Sequence, residues 1–312
     1  MQNKNIVVTG GLGFIGSHLV DELVENNQVT IIDDNSTGKL GNLTNPQHTN
    51  LEIITGSITD LDLNDIFQDV DYVFHHAAMA SVPLSVDHPE KAHLINATGT
   101  LKILLAACNC GVKKVLNASS SAVYGNNMNM PLKENEPLSP LSPYAASKSS
   151  AEHYAQAFYE TYGLETVSFR YFNVFGPKQD PNSQYAAVIP KFIDSMVNEK
   201  SPVIYGDGEQ TRDFIFVKEI VQGNIVAAES SFSGALNLAG GNALSINNLF
   251  EMIREIMGSD IKPTYLAERK GDIKHSLADT SNLVEIGFKV DDNFKGQLRE
   301  TVDWFLLKNK KK

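Results

Sequence analysis

The chain has little of what a secreted, membrane-embedded or nucleic-acid-binding protein needs. It carries two cysteines, Cys108 and Cys110, at the end of an apolar helix pattern. That is too few for a disulfide scaffold, and they read as free thiols in a reducing cytoplasm, which is the expected location. Positive charge is also short: 26 Lys and Arg against 37 Asp and Glu leave a net charge of −11. Nucleic acid and anionic membrane surfaces are therefore poor partners. A phosphorylated ligand would need arginines placed at its own site. No apolar run approaches membrane-spanning length, and the first strand pattern begins within five residues of Met1, so no signal peptide is expected. Internal repeats are absent, and the C-terminal Lys308-Asn309-Lys310-Lys311-Lys312 reads as a solvated tail.

What is present starts at once. Asn5-Ile6-Val7-Val8-Thr9 reads as a buried parallel strand, and Ser17 to Val24 has helical apolar spacing. Between them, Gly10-Gly11-Leu12-Gly13-Phe14-Ile15-Gly16 fits G-x-G-x-x-G through Gly11, Gly13 and Gly16. Such a loop gives a tight turn, a close backbone approach to a pyrophosphate, and close helix–strand packing. The helix start offers unpaired N–H groups and a positive dipole end to the phosphates. A second strand, Gln28 to Ile32, ends in Asp33, twenty residues beyond Gly13. A carboxylate there accepts adenosine ribose hydroxyls and repels a 2′-phosphate, so NAD is expected over NADP.

Strand and helix patterns then alternate. Strands are expected at Leu51–Thr55, Tyr72–Ala78, Lys114–Ala118 and Glu165–Arg170, with helices near Leu63–Phe67, from about Pro89 to Cys110, and from Tyr144 to Tyr162. This alternation predicts an α/β fold, a Rossmann-type doubly wound parallel sheet. After it come Pro and Gly punctuation at Pro177, Pro181, Pro190, Pro202, Gly206 and Gly208. The expected division is a dinucleotide-binding domain over 1–172 with a returning segment near 214–241. A smaller C-terminal substrate-binding lobe takes 173–213 and 242–312, with the active cleft between them.

Tyr144-Ala145-Ala146-Ser147-Lys148 carries the chemistry. Residues i and i+4 share a helix face, and this helix comes after the strand that ends in Ser119-Ser120-Ser121, where a doubly wound fold opens its crevice. A free phenol titrates near 10, so Tyr144 acting as a base at neutral pH needs a shift of about three units, roughly 4 kcal/mol. A nearby ammonium and a positive nicotinamide ring are suited to supply it. A strand-end serine can hydrogen-bond the reacting oxygen. Together these features predict an NAD-dependent enzyme working on a hydroxyl or ketone. His75 and His76 read as structural, and no metal site is expected.

Over nearly its whole length the chain resembles the extended short-chain dehydrogenases/reductases, and within them the UDP-hexose 4-epimerases. The resemblance is carried by Gly10 to Gly16, Asp33-Asp34-Asn35-Ser36-Thr37-Gly38, His76 to Pro83, Ala118 to Gly125, Pro143 to Lys148, Arg170 to Pro177, Gly206 to Asp213 and Arg269-Lys270-Gly271-Asp272. It implies a reaction without net redox change: Tyr144 takes the proton of the sugar 4-hydroxyl while C4 gives hydride to NAD⁺, the 4-keto sugar turns about its diphosphate tether, and hydride returns to the opposite face. In this resemblance Ser120 matches the catalytic hydroxyl, and Lys148 holds the nicotinamide ribose and lowers the Tyr144 pKa. Cofactor contacts are implied for Gly10, Gly13, Phe14, Ile15, Gly16, Asp33 to Gly38, Ser57, Ile58, Ala77, Ala78, Ala80, Asn96, Tyr144, Lys148 and Tyr171. Substrate contacts are implied for Ser81, Ser120, Ser121, Asn173, Gln179, Ala187, Val188, Tyr205, Arg212, Arg269, Asp272 and Ser276. Asn173, Arg212 and Arg269 would grip the UDP moiety, with Asp272 at the uridine ribose, because a guanidinium fork matches phosphate oxygens. A homodimer through a four-helix bundle, from helices near 89–110 and 144–162, is implied as well.

Relatives running other chemistry differ immediately after the catalytic serine. Sugar 4,6-dehydratases place Asp-Glu there and UDP-glucuronate decarboxylases a Glu, whereas this chain has Ser121-Ala122. UDP-glucuronate 4-epimerases share the serine run and stay open as an alternative, as does a non-catalytic NAD-binding regulator. A reductase would favour exchangeable NADPH, against which Asp33 stands. Family members restricted to UDP-glucose and UDP-galactose often carry Tyr where Ser276 stands here. The small serine opens room for a C2 N-acetyl group, so UDP-GlcNAc/UDP-GalNAc turnover is expected, with the plain hexoses accepted to some degree. Two departures touch the cofactor side: Ser57 replaces a usual Asp near adenine, and Asp34 replaces a commoner Asn.

Overall fold

The computed structural model describes residues 1–181, 187–268 and 273–309. Along the chain, β1 (Asn5–Thr9) leads through α1 (Phe14–Leu23) to β2 (Gln28–Asp33), β3 (Leu51–Thr55), α2 (Leu63–Ile66) and β4 (Tyr72–His75). Next come α3 (Val82–Asp87), α4 (Pro89–His93), α5 (Gly99–Cys110), β5 (Lys114–Ser120), α6 (Pro143–Tyr162), β6 (Glu165–Tyr171) and β7 (Asn173–Phe175). The remainder runs α7 (Val188–Val197), β8 (Val203–Tyr205), β9 (Thr211–Phe216), α8 (Val217–Glu229), β10 (Gly234–Leu238), β11 (Ala243–Ser245), α9 (Ile246–Met257), β12 (Thr264–Leu266), α10 (Ser281–Glu285) and α11 (Phe294–Asn309).

Seven parallel strands form the expected sheet in the order β10-β6-β5-β4-β1-β2-β3. Side chains alternate between its faces. Ile6 and Val8 enter one core with Leu19, Leu23, Ile220 and Val221 of α1 and α8, while Val7 enters the other with Ile103, Leu104, Ala155 and Phe158 of α5 and α6. Both faces are therefore apolar, which is why these strands read as near-continuous hydrophobic runs. Strand order reverses between β1 and β4, so the crevice for a ligand opens at their C-terminal ends.

Besides shifts of one or two residues at the ends of α2, β5, α6 and β6, three differences from the sequence expectation lie beside the crevice. Helix α1 begins at Phe14 rather than Ser17, so the glycine loop runs straight into it. Strand β4 stops at His75, leaving Ala77 and Ala78 as loop at the crevice edge. The single helix expected over 89–110 contains a π-helical turn, Leu94–Thr98, between α4 and α5. Asn96 lies in that turn. Its amide accepts from Met79 N (2.8 Å) and donates to Met79 O (3.2 Å) and Ser147 Oγ (2.9 Å). A π turn re-aims one side chain without ending the helix, and here it ties the loop after β4 to α6.

Past Tyr171 the chain builds a second layer around its own apolar cluster, with Phe175, Phe192, Phe214, Phe250 and Phe305. Strand β9 pairs in parallel with β7 and antiparallel with β11, and β8 pairs with β12. The chain returns to the main sheet through α8 and β10, and again with Leu283 and Phe288, which join the sheet's core.

Candidate active site

The cofactor side begins with backbone conformation. Gly10 has φ of +68°, a left-handed conformation costly for other residues. A Cβ at Gly16 would lie 2.2 Å from Gly10 O, so the third glycine lets helix and loop touch. Gly13 caps α1 with no side-chain bond, which leaves the first N–H groups of the helix facing the crevice. Phe14 and Ile15 come next, half-buried. Asp33 is buried, and its carboxylate accepts from Leu12 N (3.0 Å) and Asn35 N (2.9 Å). Burial pushes this acid up and those two N–H groups pull it down. A Cβ at Gly38 would meet both carboxylate oxygens at 2.8 Å, so the loop folds tightly over Asp33 while Asp34 to Thr37 stay exposed. This bare turn, open helix end and adjoining acid fit an adenine dinucleotide lacking a 2′-phosphate.

Two expected cofactor contacts are turned to other tasks. The Tyr171 hydroxyl is bonded to Asn224 Oδ1 (3.0 Å), and its ring stacks on His76. Ser57 bonds Thr59 through its hydroxyl (2.7 Å), while Ile58 is buried beside Gly99. Ala77 N donates to Thr9 Oγ1 (3.1 Å) and Ala78 is half-buried. His75 sits between Thr9 Oγ1 (2.7 Å) and Thr100 Oγ1 (3.0 Å). Burial, then the charge of Lys148, hold both His75 and His76 down to about 3, so both are neutral. Among the described residues no group of His, Cys, Asp or Glu is arranged to hold a metal.

The reacting residues meet at the start of α6. Ser142 caps the helix by accepting from Ala145 N (3.1 Å), and Pro143 sets its first turn. Tyr144 comes next, with its backbone N on Ser85 Oγ (3.0 Å). Burial pushes its phenol above 10, and the neighbouring Ser120 hydroxyl is what pulls it back. The expectation gave that pull to Lys148. Instead Lys148, 5% exposed, donates to Ala118 O (2.6 Å) and is itself pushed down to about 8 by burial, with Glu152 opposing. Of the three strand-end serines, Ser119 bonds Glu152, Ser121 opens a 3₁₀ turn, and Ser120 caps that turn by accepting from Ala122 N (3.2 Å) while lying beside the Tyr144 phenol.

Glu152 anchors a buried chain of polar groups that sequence reading missed. It receives Arg170 through both Nε (3.1 and 3.2 Å) and Nη2 (2.8 Å). Arg170 continues to Tyr124 Oη (2.9 Å), which donates to Asn237 Oδ1 (2.7 Å). The chain thus locks α6 to β5, β6 and β10 with its members bonded.

A cavity of about 310 Å³ adjoins Tyr144. Of the expected substrate residues it brings together Ser120, Ser121, Asn173, Arg212 and Ser276, and it adds the catalytic Tyr144 and, from the cofactor set, Ala80. Arg212 is steadied by its bonds to Thr211 O (2.9 Å) and Lys274 O (3.4 Å), and Asn173 by Asp213 O (2.9 Å). Ser81, Gln179, Ala187, Val188 and Tyr205 lie outside this lining. Ser81 caps α3, Ala187 and Val188 begin α7, and Tyr205 ends β8. Gln179 bonds Val174 O (3.3 Å), and its buried Oε1 has no partner among the described residues. Arg269 and Asp272 fall outside the described residues. Val82, Ala122 and Gly125, from stretches that carry the resemblance, also line the wall, and Asn127, Leu132, Ile273 and His275 complete it without any sequence signal that would have singled them out.

A strand-end serine, a helical Tyr and Lys, and a dinucleotide loop joined by one crevice define a nicotinamide-dependent short-chain dehydrogenase/reductase site. Residues 6–239 match the NAD dependent epimerase/dehydratase family, and the chain belongs to it. It is 38% identical over 309 residues to a putative UDP-glucose 4-epimerase of Methanocaldococcus jannaschii, covering 98% of this chain and 99% of that one. Among solved structures it is similar to UDP-N-acetylglucosamine 4-epimerase from Methanobrevibacter ruminantium in complex with UDP-N-acetylmuramic acid. The identity is 59% and the TM-score 0.98, over 99% and 100% of the two chains. The UDP-glucose 4-epimerase of Thermotoga maritima with UDP-glucose matches at 37% identity and TM-score 0.93, over 98% and 99%.

Proposed function

We propose that the chain is an NAD-dependent UDP-hexose 4-epimerase whose preferred pair is UDP-GlcNAc and UDP-GalNAc, with UDP-glucose and UDP-galactose also turned over. The observation that carries the preference is the cavity beside Tyr144, walled by Ser276 where a bulky side chain would fill it. The 59% identical relative, named for UDP-N-acetylglucosamine and holding an N-acetylated UDP-sugar, supports the same reading.

Residues 1–172 with 214–241 carry the cofactor in this reading, and 173–213 with 242–312 the nucleotide sugar. NAD⁺, when bound, supplies the hydride acceptor and then the donor at C4. Gly10 to Gly16 and Asp33 hold its pyrophosphate and ribose, and Lys148 its nicotinamide ribose. Tyr144 accepts the 4-hydroxyl proton, with the Ser120 hydroxyl bonded to the same oxygen, and later returns it. Arg212 and Asn173 keep the diphosphate in place while the 4-keto sugar turns in the cavity. Arg269 and Asp272 complete the UDP grip.

Two further parts belong to the proposal. The chain forms a homodimer through the helices near 89–110 and 144–162, supported by exposed Leu94, Leu105, Tyr154, Tyr159 and Tyr162 there. It works in the cytoplasm, supported by free cysteines; no described helix is long and apolar enough to cross a membrane. The test is incubation with UDP-GlcNAc and, separately, UDP-glucose with NAD⁺, resolving C4 epimers by NMR. UDP-GalNAc formed faster than UDP-galactose supports the reading. Conversion of UDP-glucose alone overturns the preference, and conversion of neither overturns the function and turns attention to UDP-glucuronate.

A further inference from the structure

Asp213 is wholly buried, yet nothing in the proposed chemistry uses it. Its Oδ1 accepts from Gly240 N (2.8 Å) and Gly241 N (3.2 Å), and its Oδ2 from Gly241 N (3.2 Å) and Ala278 N (3.1 Å). A carboxylate taken out of water is costly unless its lone pairs are filled, and here backbone N–H groups fill them. Those donors come from two separate stretches. One is the turn after β10. The other ends the strap 273–279, which has no helix or strand of its own and presents Ile273, His275 and Ser276 to the cavity.

The strap hangs on three consecutive residues of β9. Thr211 N donates to Lys274 O (2.9 Å) and Thr211 Oγ1 bonds His275 Nδ1 (3.0 Å). Arg212 Nη1 reaches Lys274 O (3.4 Å), and Asp213 fixes the far end at Ala278. On its other side the strap is tied to Leu132, whose N donates to Leu277 O (2.8 Å) and whose O accepts from Asp279 N (2.9 Å). Of the β9 residues that hold the strap, Asp213 is the buried one, and its carboxyl joins the strap's Ala278 N to the turn at Gly240 and Gly241; burial pushes that carboxyl up to about 7, and these N–H donors pull it down. Ser276 stands two residues before Ala278, so any slack at Ala278 passes to the wall it forms.

We propose that Asp213 is a positioning residue for sugar specificity: it fixes the strap and thereby the Ser276 wall facing the sugar. The proposal rests on the epimerase reading. Asp213→Asn keeps the shape but replaces one acceptor with a donor facing N–H groups. Ala278→Pro removes the strap's donor, at the cost of fixing φ there, and leaves the Asp213 carboxyl in place. Both variants are assayed with UDP-GlcNAc and UDP-glucose as NAD-loaded enzyme, alongside melting temperature and the pH profile of kcat. Each should shift the ratio of the two kcat/KM values by about tenfold, the scale of one lost charge-assisted bond, chiefly through KM, with the pH profile unmoved. A wild type inactive on both sugars fails the epimerase reading instead. With active wild type, an unchanged ratio, both efficiencies falling in proportion, or loss of the fold in both variants overturns the proposal.

Discussion

Replacing Lys148 with Met should stabilise the folded protein while abolishing its activity. Lys148 is 5% exposed, and burial lowers its ammonium from 10.5 to about 8. At about 1.4 kcal/mol per unit, holding the charge in place costs the folded state up to about 3 kcal/mol. The folded-state value lies below the unfolded one, so the folded chain binds fewer protons between about 8 and 10.5, and stability climbs with pH across that window. At pH 7, below both values, the full penalty is present. Methionine keeps the apolar stem but leaves Ala118 O without its donor, a loss of about 1 kcal/mol. The net expected gain is about 1–2 kcal/mol, in the usual direction when a functional charge is removed from a buried site. Urea melts of nucleotide-free wild type and Lys148→Met at pH 7 and 9.5 measure it. The variant should show the higher midpoint at pH 7, with the gap narrowing at 9.5 as the wild-type lysine neutralises. A variant less stable at pH 7, or a gap that does not narrow, refutes the reasoning.

Tyr144→Phe should keep the fold and lower kcat by about 10²–10⁴, the usual contribution of a general base. Because burial holds the Tyr144 phenol high and Ser120 pulls it down, wild-type kcat should rise with pH, and Ser120→Ala should move that limb to higher pH; an unmoved limb separates Ser120 from Tyr144. Ser276→Tyr should cut UDP-GlcNAc turnover by tenfold or more while sparing UDP-glucose, roughly the 1–3 kcal/mol of a filled subpocket; equal losses contradict the assignment of the wall. Gly16→Ala puts a Cβ 2.2 Å from Gly10 O, so nucleotide binding measured by calorimetry should be lost or sharply weakened, and unchanged affinity would remove Gly16 from the loop's function.

Local pattern decides how much of this was legible in sequence. Strand β1 matches its expected span because its apolar run is buried on both faces and ends at the glycine turn; β3 matches as well, although at the sheet edge it is only half-buried. Tyr144, Lys148 and Ser120 were readable because one helix turn and one strand end place them. The π turn at Leu94–Thr98 was not, since the bonds that its Asn96 makes to Met79 and Ser147 join separate elements. The same limit hid the Glu152–Arg170–Tyr124–Asn237 chain, whose members come from separate strands and a helix. It hid the wall residues Asn127 and His275 as well, because the strap that carries His275 has no periodicity to read. The source of the pull on Tyr144 needed three dimensions, since i,i+4 spacing brings Lys148 to the same helix face but does not say where its ammonium points.

The most direct test of C4 chemistry in a closed site is the fate of a C4 label. UDP-GlcNAc deuterated at C4, converted in ordinary water by the NAD-loaded protein, should give UDP-GalNAc that retains the deuterium at C4, read by proton NMR and mass spectrometry. Product with hydrogen from solvent at C4 would contradict removal and return of the same hydrogen within the site.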